Sequence, residues 1–253
     1  MSGRGALRLA AVGVDGCRAG WVVVRGYEDA GGALVRTEPE LLRARHGGLR
    51  ALVEACEAMR PPPSVGVDVP MGLPRRAGLR ACDRAARERL GPRRASVFPA
   101  PDRELLGCTF EQAREVVRRR AGDHPVLSHQ AVGLFARIAE ADALLAERPA
   151  RQAWVVEVHP ELSFLALAGA SRALPPKRRT DGLRVRRELL AAVAPDGELR
   201  LGAWAAPRRD AAPDDLLDAY AALWSARRHA AGGADVLGDG ERDERGLLMQ
   251  MVT

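Results

Sequence analysis

Lysine is almost missing from this sequence: Lys177 stands alone among 39 basic residues, and arginine fills every other basic position. A GC-rich genome writes proteins this way, so the formal charge of +6 is discounted as a sign of a polyanionic partner. Aromatic residues are scarce, at 4%, which argues against a base-stacking platform for single strands. No run of eighteen apolar residues occurs, and the opening MSGRGALRLA has no signal-peptide core. Neither a membrane partner nor export is therefore expected, and the expected location is cytoplasmic. The four cysteines, Cys17, Cys56, Cys82 and Cys108, are scattered without a CxxC pair or zinc-type histidine spacing. They read as reduced thiols, with only Cys17 close to a candidate site.

What is present is an apolar fraction of 47% over 253 residues, enough to bury a full core. The run VGVD occurs twice, at residues 12–15 and 65–68. Each copy is a short β-branched strand that stops on an aspartate. LRLAAVGVD predicts a buried strand from Leu7 to Asp15, broken by Gly16. GWVVVRGY and GALVRTEPE around EDAGG predict an antiparallel hairpin. GGLRALVEACEAMR predicts a helix with Leu49, Leu52, Val53, Cys56 and Met59 on one face, ended by PPP. A helix between that hairpin and the second apolar VGVD strand is an α/β signature, with the new strand parallel to the first.

From Met71 to Pro149 the pattern turns helical, with helices expected near 78–90, 109–120 and 128–147 around the loop GPRRASVFPAPDR. WVVEVHPE at 154–161 restores a strand. After it come a short helix at Leu162–Leu167, the basic loop SRALPPKRRTDG, a helix near 183–193 and a long one from Pro213 to about Ala231. The reading is one α/β domain over 1–231 with a helical insertion at about 71–149, and a tail at 232–253 that adds an edge strand through Leu247–Val252.

Three strands end in acids, Asp15, Asp68 and Glu157. Ligands gather at the carboxyl ends of parallel strands, so these acids become neighbours if the strands are adjacent. The glycines at 13 and 66 let another element approach closely. On the last helix, Asp215, Asp218, Ala222 and Ser225 form a narrow stripe of small and acidic residues, which delivers its aspartates toward the strand tips. Carboxylates without a histidine or cysteine cluster suit Mg²⁺ or Mn²⁺ rather than zinc. Such ions held by shared carboxylates serve displacement at phosphorus, which points to phosphoryl-ester chemistry. Each acid also has a plain structural role open to it, as a turn residue, a helix cap or half of a buried ion pair.

Taken in order, GVDGCRAGWVVV, VGVDVPMGLP, CDRAARERLGPRRASVFPAP, VVEVHPELSF and APDDLLDAYAALWSARR resemble the successive motifs of the predicted-nuclease family catalogued as domain of unknown function 429. The resemblance runs from about residue 9 to 230. It implies an RNase H-like mixed sheet, antiparallel strands first and parallel ones after. It also implies a divalent-metal nuclease acting on nucleic acid, DNA or RNA, with Asp15, Asp68, Asp215 and Asp218 in the metal positions. Glu157 matches a family acid on the fifth strand and is expected to take part in catalysis, either binding metal or orienting His159 or arginine groups, and His159 is expected to shuttle protons. Arg93 and Arg94, and Lys177, Arg178 and Arg179, are candidate phosphate contacts. A lysine that survives where arginine replaces nearly all others suggests that arginine fails at position 177. Two other readings start from the same residues. An actin-like or sugar-kinase-type phosphotransferase places an Asp-Gly turn at nucleotide phosphates, yet no GxxxxGK[ST] run is present. A non-catalytic RNase H-like binding module leaves the acids structural.

Overall fold

The two VGVD runs become neighbouring strands. β1 (Arg8–Cys17), β2 (Gly20–Glu28) and β3 (Leu34–Arg43) form an antiparallel meander, which β4 (Ser64–Val67) and β5 (Val155–Glu157) join in parallel. The result is a five-stranded mixed sheet in the order β3-β2-β1-β4-β5. The computed structural model describes residues 6–120, 128–169, 174–177, 179–194 and 196–253. The helices in chain order are α1 (Gly48–Glu57), α2 (Ala81–Leu90), α3 (Phe110–Arg119), α4 (His129–Val132), α5 (Phe135–Glu147), α6 (Pro160–Leu167), α7 (Thr180–Ala191), α8 (Gly197–Ala203) and α9 (Pro213–Ala230). None of the described helices is long and apolar enough to cross a membrane.

The chain divides into two compact units. The first holds the residues up to Asp68, Trp154–Asp235 and Val252–Thr253, and contains the sheet. The second holds Val69–Ala153 and Val236–Met251, and contains α2 to α5.

In the first unit, β1 does not stop at Gly16. Its ladder with β2 continues to Cys17 opposite Gly20, because a turn of two residues, Arg18 and Ala19, lets the strands pair to its mouth. Asp29 closes the next turn by accepting the Gly31 and Ala33 N–H groups at 2.9 and 3.0 Å. β3 is an edge strand, where Pro39 is tolerated. At the far edge β5 is only three residues long. The strand expected over Leu247–Val252 shrinks to Met251–Val252, of which Val252 bridges Val158 in parallel. α1 buries Leu49, Leu52, Val53 and Cys56 as its periodicity requires, but it ends at Glu57, and Met59, expected on the same face, is exposed. The Cys56 thiol is pushed up to about 11 by that burial, in keeping with an inert core thiol.

The opposite face of the sheet carries α9. Along β1, Ala11, Gly13, Asp15 and Cys17 share this face by the two-residue period, and on β4 so do Gly66 and Asp68. A Cβ on Gly13 would lie 2.0 Å from the Ala219 carbonyl oxygen and 2.2 Å from the Leu223 nitrogen, and one on Gly66 would lie 2.7 Å from the Ala222 oxygen. The helix backbone thus rests directly on the strands. Ala219, Ala222, Leu223 and Ala226 are buried at this contact. Ser225 Oγ lies 2.8 Å from Ser163 Oγ and ties α9 to α6.

In the second unit, Arg80 and Asp83 form a fully buried ion pair, and Arg80 also donates to the Met71 and Gly72 carbonyls at 2.9 and 3.1 Å. Arg103 joins Asp142 and Asp243. The helix expected over 128–147 is interrupted between Val132 and Phe135, at Gly133 and Leu134. Helix α8 was not expected from the sequence.

A Gly13→Ala substitution should cost about 3 kcal/mol in urea unfolding, at the upper end for overpacking, because the clash is with backbone that cannot rotate away. Gly107→Ala, with nothing within 4 Å, should be near neutral. Equal effects at the two positions would show that the helix does not sit on the strand as described.

Candidate functional site

The period that seats α9 also decides which acids meet. Asp15 lies two residues beyond Gly13, and Asp68 two beyond Gly66, so both side chains emerge on the α9 face at the carboxyl ends of adjacent parallel strands. The Asp68 N–H donates to the Val14 carbonyl at 3.0 Å, carrying the ladder one residue past β4. Asp218, one turn before Ala222 on α9, approaches from the helix. Asp15 and Asp218 are 6% and 4% exposed, and Asp68 is partly buried.

Glu157 is not brought into this group. It pairs with Val67, so it shares that residue's face and points away from α9, while its neighbours Val156 and Val158 pack with Ala222 on the α9 side. The acid that reaches the cluster from this region is Glu161, in the first turn of α6; its charge acts on both Asp68 and Asp218.

Crowding makes all three aspartates reluctant to ionise. Burial raises Asp15 well above the usual carboxyl range, and the charges of Asp68, Asp218 and Asp215 add to this. Burial also raises Asp68, opposed by the positive charges of His159 and Lys177 and by a hydrogen bond from Asp15. Asp218 is pushed up to about 6, by burial first, with Lys177 pulling the other way. Such a set is relieved by a cation.

One cation is already supplied by the protein. Lys177 Nζ donates to Asp218 Oδ2 at 2.7 Å and lies 3.4 Å from Asp214 Oδ2. Burial alone would depress this ammonium, but the charge and hydrogen bond of Asp218, with Asp214 and Asp15, outweigh it and hold it far above the ordinary lysine value. The segment before Lys177 is pinned from behind. Arg186, 1% exposed, binds Glu161 through 2.9 and 2.8 Å contacts and donates to the Pro175 and Gly182 carbonyls, both at 2.9 Å. Gly182 has no room for a Cβ, which would meet the Pro176 oxygen at 2.1 Å. Glu161 and Arg186 were not expected from the sequence, since a charged pair buried across 25 residues leaves no local periodic signal; Asp214 was expected only as a first-turn acid of the helix.

The remaining expected residues are placed as follows. One carboxylate oxygen of Asp215 accepts the Ala212 N–H at 2.7 Å and starts α9, while its charge still reaches Asp15. His159 precedes α6 and faces Asp68 electrostatically. Arg93 and Arg94 lie in the second unit, on a 3₁₀ turn at Gly91–Ser96. Arg179 precedes α7 and pairs with Asp181 at 3.1 Å. Arg178 lies outside the described residues. Cys17 is buried in the core. Among the described residues no group of three or more His, Cys, Asp or Glu side chains is arranged so that it could hold a metal ion as it stands.

A carboxyl raised on folding takes up protons as the chain folds, so these acids make the metal-free protein less stable as pH rises. For Asp218 the window runs from the ordinary 3.8 to about 6. Asp15→Asn removes one charge and keeps a donor toward Asp68. In chelator at pH 8 the variant should be more stable than the wild type by roughly 1–2 kcal/mol, and the gain should shrink toward pH 4. Thermal unfolding at the two pH values checks this, and a variant less stable at both would contradict the account of crowding.

Comparison with known proteins gives one family and no individual relative. No curated protein and no solved structure gave a significant match. The profile of a family described as a protein of unknown function, DUF429, matches residues 13–242, which take in every one of these aspartates. The chain is a member of the DUF429 family.

Proposed function

We propose that this protein is an RNase H-like, divalent-metal-dependent nuclease that hydrolyses phosphodiester bonds of nucleic acid. The observation that carries the reading is the convergence of Asp15, Asp68 and Asp218 on one sheet face, with burial raising all three and the charge of neighbouring carboxylates adding to it. A buried set of like charges stands at a functional site more often than in a purely structural one. The strand order, with an antiparallel meander followed by parallel strands, supports the RNase H-like comparison.

The donor set fits the implied cation. It is built of carboxylate oxygens, which suit Mg²⁺ or Mn²⁺, and its repulsion is relieved by positive charge. Asp15, Asp68 and Asp218 would hold the ion; Asp215, with one oxygen committed to the start of α9, contributes mainly its charge. When bound, the cation supplies Lewis-acid stabilisation of charge developing at phosphorus. The chain's own groups do the rest. The two strand aspartates fix the site to the rigid sheet, Asp218 closes it from α9, and His159 stands beside Asp68 where a proton can be passed to solvent. Arg93 and Arg94 are proposed as contacts to the phosphate backbone of DNA or RNA.

Incubation of the purified protein with labelled single-stranded, duplex and branched DNA and RNA should give cleavage that requires Mg²⁺ or Mn²⁺ and is abolished by chelator. Asp15→Asn, Asp68→Asn and Asp218→Asn should each lower the rate at least about a hundredfold while remaining folded. Cleavage that persists in these variants would remove the acids from the chemistry.

A further inference from the structure

Lys177 is an unusual occupant for a site built to take divalent ions. Its ammonium lies 2.7 Å from Asp218 and 3.4 Å from Asp214, on the inner side of a segment fixed by the Arg186 contact to Pro175 and by the missing Cβ of Gly182. The Arg179 N–H closes the turn behind it, donating to the Pro176 carbonyl at 3.0 Å. This lysine is aimed at the acids by its backbone. The ammonium of a lysine is a compact point charge rather than a planar fork, and it stands here at the one basic position that is not arginine.

Asp15, Asp68 and Asp218, fully ionised, carry three negative charges; Lys177 offsets one of them while also facing Asp214, so the ammonium supplies part of the positive charge these acids require. A second ion would have to share Asp218 with an ammonium already hydrogen-bonded to it. We infer that Lys177 occupies the place of a second cation, so that the site takes a single divalent ion and the lysine completes its positive charge. This rests on the metal-dependent reading above and fixes the number of ions at one. Lys177 would then supply a fixed positive charge at the site that needs no recruitment from solution.

The test is the stoichiometry of Mn²⁺ binding to the full chain, by calorimetry and by electron paramagnetic resonance of the bound ion, in the wild type and in Lys177→Met. One Mn²⁺ per wild-type chain and two per Lys177→Met chain is the expected result, with the resonance of the variant broadened by coupling between the two ions. Thermal unfolding establishes that the variant is folded, and the wild-type value stands without it. Two Mn²⁺ per wild-type chain would overturn the inference and leave the nuclease reading in place. No Mn²⁺ bound by the wild type would overturn both. A folded Lys177→Met that still binds one ion with unchanged affinity would show that the lysine holds no cation position.

Discussion

Two glycines set the distance between α9 and the sheet, and the site depends on that distance. Helices pack on sheets through side chains, but here Gly13 and Gly66 carry none, and the carbonyls of Ala219 and Ala222 occupy the space that their Cβ atoms would fill. The close approach brings a short side chain, the aspartate at 218, within reach of two short side chains on the strands. A Cβ at either glycine would lift the helix and separate the acids. Because Asp15 and Asp68 follow their glycines by two residues, the same pleat that admits the helix turns both carboxyls toward it.

Bringing these acids together is unfavourable, and the rest of the site offsets the cost. The Arg186–Glu161 pair is buried, with two contacts between the side chains and two backbone carbonyls accepting from the guanidinium, and it fixes the segment that presents Lys177. Breaking such a pair costs about 3–5 kcal/mol, so it is a firm anchor. Its arginine also lies 5.3 Å over the Phe164 ring, which ties it to α6. A strained cluster of like charges, held by a rigid sheet on one side and an anchored lysine on the other, is an arrangement in which function is retained at some expense of stability.

Much of this was legible in the sequence because it is local. Alternating strands around EDAGG, the apolar face of α1 and the parallel return of the second VGVD each leave a periodic trace within about ten residues, and the mixed sheet follows from them. Asp15 and Asp68 were visible as repeated strand ends, and Asp218 as an acid too deep in a helix to serve as its cap. Glu157 shows where the reasoning stopped. It ends a strand, as the two aspartates do, but Val156, not Glu157, stands opposite Gly66, and a difference of one residue in register turns the side chain to the other face. Register is set by pairing between strands some 90 residues apart, which no local pattern encodes. Glu161 and Arg186 were hidden because their pairing joins two helices across 25 residues, and the break at Gly133 because a single glycine does not always interrupt a helix.

The account stands or falls on where a divalent ion sits. Crystals grown with Mn²⁺, with diffraction recorded near the manganese absorption edge, would locate the ion by its anomalous signal. The prediction is a peak in contact with the carboxylates of Asp15 and Asp68 on the α9 face of the sheet. A peak on Glu157 or elsewhere on the protein, with the three aspartates and Lys177 arranged as they are here, would contradict it.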